Sequence, residues 1–331
     1  MPTARGKLKS LLKSRKEKKK NPPRFRSLQL TLFKLAVWGL LFFGLISGLQ
    51  ALILGWREKV WISNSRLTVV VAQEDPIIYS FDPIQEKLTI FAIPHDTQVE
   101  TSSSYGNLLV GNLWKLGEQE KMDGELLRLS LQKTLGIPID AWVEERGSGL
   151  FDQNSLGWFS ASWEALASGK LKTNLTFFDR ASLVLGVGKL SIRDRREIDL
   201  VGNGVLVKTK LSDGMVGYKV VPEKSKIVLD ILKDDLVFEE GKKIIIANAT
   251  GKGGLASQTA QIGSVLGARV IGTQTSQEDV NNCEVRGKKE DINSLTSKRI
   301  ASIFSCNVKE TEKPGAADLE VILGKSFLEK F

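Results

Sequence analysis

KKIIIANATGKGGLASQTAQIGSVLGARVIGTQ, residues 242–274, decides the fold class. KKIIIANAT reads as a strand, GKGG as a loop, LASQTAQIGSVLG as a helix and ARVIGTQ as a second strand. Strands joined through a helix run parallel, because a parallel pair needs a crossover connection. Further on, CEVRG reads as a strand, NSLTSKRIASIF as a helix and DLEVILG as a closing strand. The result is a βαββαβ unit over residues 242–326, large enough to bury a core of its own. The GKGG loop (Gly251–Gly254) precedes a helix, whose free amides favour anions. It lacks the G-x-x-x-x-G-K-[ST] spacing of a nucleotide loop, and tight-turn geometry accounts for its glycines.

Working upstream, Glu239–Gly241 forms a natural boundary, and KSKIVLDILKDDLVF (Lys224–Phe238) reads as one amphipathic helix. LTVVVAQ (Leu67–Gln73) and KLTIFAIP (Lys87–Pro94) are continuous apolar runs, typical of strands buried on both faces. Leu108–Gly136 reads as two helices interrupted at Gly124, with Gly136 as the helix stop. Ile137–Glu145 is a third strand. Ser160–Ala167 is a helix, and a short helix opens at Asp179. IDLVG (Ile198–Gly202) and VLVKTKL (Val205–Leu211) are strand-like, and a turn and strand follow in SDGMVGYKVV. The fold class is therefore α/β, with residues 60–238 forming the larger domain.

Leu35–Leu54 is a twenty-residue run without charge. Such a helix rises roughly 30 Å, the thickness of a hydrocarbon core. It reads as a retained transmembrane helix, since no small-residue cleavage site follows. Trp38 at one end, and Trp56 and Trp61 past the other, are placed to mark the two interfaces. Residues 1–34 form a basic tail: eleven Lys or Arg and one acid, Glu17, lie within residues 1–27. Positive charge beside a membrane helix stays cytoplasmic and meets anionic lipid. The chain is thus expected to be a single-pass cell-membrane protein whose part beyond Trp56 is extracytoplasmic. From Arg57 onward there are 35 basic and 37 acidic residues, so the net charge of +9 belongs to the tail. A nucleic-acid partner is not expected from it.

Two cysteines, Cys283 and Cys306, lie in the outer part. Outside the cytoplasm an even pair reads as a disulfide. With His95 as the single histidine, no metal site is expected from His and Cys spacing. Asp75, Asp82 and Asp140 are not spaced as a ligand set.

Two stretches resemble a known family. Asn248, Thr250, Gly254, Leu255, Ala256, Gly267, Ala317, Asp318, Leu323 and Gly324 match the C-terminal domain of LytR-type envelope proteins, over residues 242–326. LTIFAIPHDTQVE, LWKLGEQEKMDGELL and LGIPIDAWVEE are similar to segments of the LytR-CpsA-Psr domain. Members of that family are membrane-anchored and move a glycopolymer from a polyprenyl-pyrophosphate carrier onto peptidoglycan. Arginines and a magnesium-bound aspartate hold the pyrophosphate. The resemblance therefore implies His95 and Asp96 at the catalytic position, with Arg66, Arg193 and Arg195 as ligand-binding candidates and magnesium as cofactor if the chain is active.

This sequence departs from the pattern. His95 replaces the motif arginine, the Asp-Thr of the first strand is absent beside Arg66, and SIRDRREIDL (Ser191–Leu200) only loosely echoes the family's arginine-rich segment. A pyrophosphate leaving group builds negative charge, and each preorganised donor meeting it is worth a few kcal/mol. The leading expectation is a non-catalytic or weakly active module binding cell-wall glycan, a polyprenyl-linked carrier or an assembly partner. The alternatives are a phosphotransferase attaching glycopolymers to peptidoglycan, and a membrane-tethered regulator.

Overall fold

The structure is a computed structural model that describes residues 38, 42, 59–62, 64–151, 162–163, 165–166, 170–211, 214–312 and 316–331. Residues 58–331 form one compact unit. The expected transmembrane segment lies outside the described residues except for Trp38 and Phe42, both helical and exposed. Among the described residues no helix is long and apolar enough to cross a membrane.

The first half of the unit runs β1 (Leu67–Ala72), β2 (Ile77–Asp82), β3 (Lys87–Ala92), β4 (Thr97–Glu100), β5 (Asn107–Leu109), α1 (Leu113–Gln119), α2 (Glu125–Leu135) and β6 (Ala141–Glu144). It continues with α3 (Phe177–Val187), β7 (Arg195–Glu197), β8 (Leu206–Lys210), β9 (Val216–Val220), α4 (Pro222–Val228) and α5 (Asp235–Glu240). A five-stranded sheet has the order β6-β1-β2-β3-β7, and a four-stranded sheet the order β5-β4-β9-β8. β1 pairs antiparallel with β2, and β2 with β3, so β1 and β3 point the same way. β6 is parallel to β1 and β7 to β3, so four carboxyl ends share one edge of the sheet.

The apolar run of β1 is explained by its two covered faces. Leu67, Val69 and Val71 enter one core with Leu183, Val184 and Val187 of α3. Val70 and Ala72 enter another with Leu126, Leu127, Leu131 and Leu135 of α2. Each such side chain contributes on the order of 2 kcal/mol when fully buried. Gly136 caps α2 in the left-handed region (φ 69°), as the stop signal predicts.

The second half runs β10 (Lys243–Asn248), α6 (Leu255–Leu266), β11 (Arg269–Thr275), β12 (Glu284–Gly287), α7 (Lys289–Ile292), α8 (Leu295–Phe304), β13 (Asn307–Glu310), β14 (Leu319–Leu323) and α9 (Phe327–Lys330). Its sheet has the order β11-β10-β14-β12-β13. The expected strand–helix–strand is present, with β10 and β11 parallel. β13 is an added edge strand that the βαββαβ reading lacks. Ile244, Ile246, Val321 and Leu323 pack against Ile262, Leu266, Ile300 and Ile303 of α6 and α8. The same core takes in Leu129 of α2 and Val237 of α5, so it is shared with the first half. Cys283 and Cys306 form the expected disulfide, bracing the starts of the parallel neighbours β12 and β13.

Four local expectations are corrected. Ile198–Gly202 is not a strand: the Asp199 carboxylate accepts the backbone N–H of Val201 and Gly202 and folds a turn there. The strand lies just before it, on Arg195–Glu197. Lys224–Phe238 is not one helix but α4, a 3-10 turn over Leu229–Leu232 and α5. Asp234 breaks it, because its carboxylate accepts the N–H of Leu236 as a cap and that of Arg66 across the fold. α3 opens at Phe177, two residues early, through a capping box between Thr176 and Asp179. Trp61 does not reach an interface: it is buried edge-on against Phe81, its Nε1 donating to the Ser65 carbonyl at 2.9 Å.

Candidate functional site

In open α/β sheets, ligands bind outside the carboxyl ends of the parallel strands. At that edge here lies a cleft of about 470 Å³, lined by Asp75, Ala92, Pro94, Glu197, Ile198, Asp199, Leu200 and Val201. His95 and Asp96 stand beside it, directly after β3. The strand order explains the meeting: Asp75 follows β1, His95 follows β3 and Asp199 follows β7, all pointing one way.

His95 is held by Asp75. One carboxylate oxygen of Asp75 accepts the His95 backbone N–H at 2.7 Å and lies 2.9 Å from Nδ1. Gly111 donates its N–H to the His95 carbonyl at 3.0 Å, and a Cβ on Gly111 would meet the His95 Cβ at 2.9 Å. The hydrogen bond to Asp75 raises the imidazole above its ordinary value, desolvation opposes this, and the charges of Asp75, Asp96 and Glu74 add to the rise. Burial is the largest single influence on Asp75 and pushes it up, but the two hydrogen bonds from His95 and its charge together hold the carboxyl below the ordinary range.

The raised imidazole contributes below its unfolded value and loses that contribution as pH rises through the folded one. The lowered carboxyl contributes above its unfolded value and loses it as pH falls. The pair is therefore made across mildly acidic pH. The expected result is an NMR titration midpoint for His95 above that of a free imidazole, falling back in Asp75→Asn. An unchanged midpoint in that variant would show that Asp75 does not hold the ring.

The arginines sit at the other end. β3 is six residues long and so rises about 20 Å. Arg66 precedes β1, and Arg193 and Arg195 lie at the start of β7, so all three are at the amino edge, away from His95. Arg66 is buried and engaged: its Nη2 donates to Asp82 at 2.6 Å and its Nε to the Lys233 carbonyl at 3.1 Å. Arg193 is exposed on the 3-10 turn before β7, and Arg195 is half-buried beside Leu88. A second hollow of about 300 Å³ at this end is lined by Arg66, Lys87, Arg196 and Lys233 together with Asp230 and Asp235. Arg128 is also engaged, bound to Glu125 and donating to the Ile139 carbonyl at 2.6 Å. Along Ser191–Leu200, then, the basic residues fall at one edge of the sheet and Glu197 and Asp199 at the other.

Magnesium needs an octahedral set of oxygen donors. Among the described residues no group of three or more His, Cys, Asp or Glu side chains is placed to hold a metal ion. At the cleft, Asp75 is taken up by His95 and Asp199 by its own turn. Only one oxygen of each of these carboxylates takes part in those bonds, and magnesium is commonly held by one or two carboxylates with waters and substrate phosphates completing its shell.

Sequence reasoning missed Asp75, Glu197 and Asp199. Asp75-Pro76 directly after an apolar run was the available signal, as a strand end carrying a carboxylate.

A second polar recess lies at the seam of the two halves. It has a volume of about 380 Å³ and its lining includes Gln98, Asn107, Thr134, Lys219, Gln258 and Gln261. Gln258 and Gln261 are one turn apart on α6 and half-buried. A Cβ on Gly136 would lie 2.3 Å from the Gln261 Nε2, so the glycine cap of α2 makes room for that amide. Glu100 and Lys133 pair at 2.8 Å at the same recess.

No protein-family model and no curated protein matches the chain. Solved structures do. TagT of B. subtilis, a LytR-CPS2A-psr family protein solved with bound octaprenyl pyrophosphate lipid, is 14% identical over 53% of this chain and 93% of its own, with a TM-score of 0.37. B. subtilis TagV is 10% identical over 52% of this chain and 97% of its own, with a TM-score of 0.38. Lin1025 from Listeria innocua is 12% identical over 50% and 96%, with a TM-score of 0.36. TagT is a protein of the LytR-CPS2A-psr family, the family that the sequence resembles.

Proposed function

We propose that the chain is a membrane-anchored, extracytoplasmic protein of the cell envelope that binds cell-wall glycan and does not transfer it. The observation that carries this reading is the sign of the charge at the motif cleft. Pyrophosphate chemistry needs cations aimed at the leaving group. The cleft beside His95 instead presents Asp75, Glu197 and Asp199, while the candidate arginines stand at the opposite edge of the sheet. One imidazole does not offset three carboxylates.

The amide-lined seam is the better place for a hydroxyl-rich ligand. Carboxamides both donate and accept, as sugar hydroxyls and acetamido groups require. Its volume lies within the ~300–1,000 Å³ of small-molecule sites. Two polar contacts of about 1 kcal/mol each correspond to roughly thirtyfold in affinity.

The test uses the full chain in detergent micelles. Binding to muramidase-solubilised peptidoglycan strands should weaken roughly thirtyfold in Gln258→Ala/Gln261→Ala. It should be unchanged in His95→Ala and Asp96→Ala. Octaprenyl pyrophosphate, which TagT holds, is the probe for cleavage of the carrier's pyrophosphate bond. With magnesium and these strands as acceptor, no cleavage of the pyrophosphate bond is expected. Turnover that disappears in Asp96→Ala would replace this reading with a phosphotransferase.

A further inference from the structure

We propose that the exposed apolar face of α3, with Trp163 beside it, lies on the outer surface of the bilayer that holds the anchor. The inference rests on the anchor reading of Leu35–Leu54 and goes beyond it, assigning a second membrane contact to the folded part.

Phe177 and Leu185 are 53% and 69% exposed. They stand eight residues apart on α3 and so share one face, with Ala181 between them. Large apolar side chains gathered on one helix face mark an interaction surface when solvent would otherwise meet them. Trp163 is 63% exposed and lies on the neighbouring helical piece. Arg180 ties that piece to α3, its Nη1 donating to the Ala165 carbonyl at 2.6 Å.

The occupant follows from where the chain enters the fold. The Asp179 carboxylate accepts the backbone N–H of Val60 at 3.1 Å and of Trp61 at 3.2 Å. It also accepts the N–H and hydroxyl of Thr176, and Asp179 itself is 1% exposed. The Lys59 ammonium lies 5.8 Å from the Phe178 ring. The first turn of α3 is thus bolted to the residues that follow the anchor. Only residues 55–58 separate Leu54 from Lys59. The five steps from Leu54 to Lys59 reach at most about 18 Å when fully extended. The headgroup layer beyond the hydrocarbon core is itself some 5–8 Å deep on each side, so the start of α3 is held within reach of it.

The chemistry of the face suits that layer. Interfacial segments carry aromatic and leucine side chains on one side and lysines at the margin. Here Phe177, Leu185 and Trp163 supply the first; Lys59 stands over Phe178, and the exposed Lys170 and Lys189 lie close to Trp163 and Leu185 in sequence. Aromatic residues prefer the headgroup level, and lysines near it attract anionic lipid.

The experiment places one spin label at a time on the full chain in vesicles of phosphatidylcholine and phosphatidylglycerol. Labels enter through Trp163→Cys, Phe177→Cys and Leu185→Cys, with Ile271→Cys and Val308→Cys as exposed controls in the second half. The native cysteines are bonded to each other. Collision with oxygen relative to a water-soluble nickel chelate should be several-fold higher at 163, 177 and 185 than at the controls. Equal ratios at all five positions, in a chain that floats with the vesicles, would overturn this inference and leave the anchor standing. A chain that does not float with the vesicles would overturn the anchor and this inference with it.

Discussion

Arg299→Ala should lower the stability of the folded unit by about 3–5 kcal/mol. Arg299 lies on α8 in the second half, yet its side chain is 1% exposed and reaches into the first half. Its guanidinium pairs with Asp140, just before β6, and its Nε lies 3.6 Å from a carboxylate oxygen of Asp234. Asp140 also accepts the N–H of Thr68 at 2.8 Å, and Asp234 that of Arg66 at 3.0 Å. Arg66 in turn pairs with Asp82. Two guanidiniums and three carboxylates thus form a buried cluster between the halves.

Such a cluster adds modest net stability when complete, because desolvation offsets much of the Coulombic gain. Removing one cation is different, since the carboxylates left behind remain buried without it. Burial already pushes the Asp234 carboxyl above its ordinary range, against the pull of Arg299 and of the Arg66 N–H. Without Arg299 it rises further. A raised folded value means stability that is present at low pH and lost as pH rises through the carboxylate range. The deficit of the variant should therefore shrink toward acid pH. Urea unfolding would show a lower midpoint with an unchanged slope. Arg299→Ala/Asp140→Asn should lose less than the two single changes summed, since the groups are in contact. A loss below about 1 kcal/mol in Arg299→Ala would mean that the guanidinium is not buried between the halves.

Replacing the disulfide should cost about 3 kcal/mol. Cys283 and Cys306 are 23 residues apart and close a loop that contains α7 and α8. In the chain-entropy model a cross-link of this span restricts the unfolded chain by that amount. The bridge sits where β12 and β13 begin side by side, and the Asn307 N–H donates to the Cys283 carbonyl at 2.8 Å. β13 is a short, exposed edge strand and gains most from a covalent tie to its neighbour. Cys283→Ala/Cys306→Ala should lower the urea midpoint, and a reductant should bring the wild-type chain to the same value. If a reductant leaves the wild-type midpoint unchanged while the thiols counted by alkylation rise from none to two, the bridge contributes no stability.

These two effects differ in how far they could be foreseen. The disulfide was legible, because the expected compartment and the cysteine parity are both read from the chain alone. Arg299 was not. Within NSLTSKRIASIF it looks like a solvent-facing charge on an amphipathic helix, and nothing local marks it as buried. Its partners lie 65 and 159 residues away in sequence.

The same division holds for the site. His95 and Asp96 were placed at a strand end from the apolar run before them, and β3 ends there. Asp75 is not marked by its spacing to other acids, which is irregular. It meets His95 because β1 and β3 are parallel neighbours across β2, a relation that pairing decides. Ser191–Leu200 shows the point most plainly. Arg193, Arg195 and Arg196 precede Glu197 and Asp199 by a few residues, and the sequence does not say which end of that segment meets His95. The parallel pairing of β7 with β3 puts the acids there.

What the sequence by itself determined is whatever depends on near neighbours. Periodicity and β-branched runs made the strands and helices. Gly136, Gly241 and Gly267 stopped helices at left-handed caps, and the order of elements made the fold α/β. What only the tertiary structure decided is the sign of the charge at the cleft, the burial of Arg299 and the amide-lined seam. Each depends on the direction and order of strands that are distant in the chain. Burial and Coulomb energy are set by distance in space, and local sequence carries no measure of that distance.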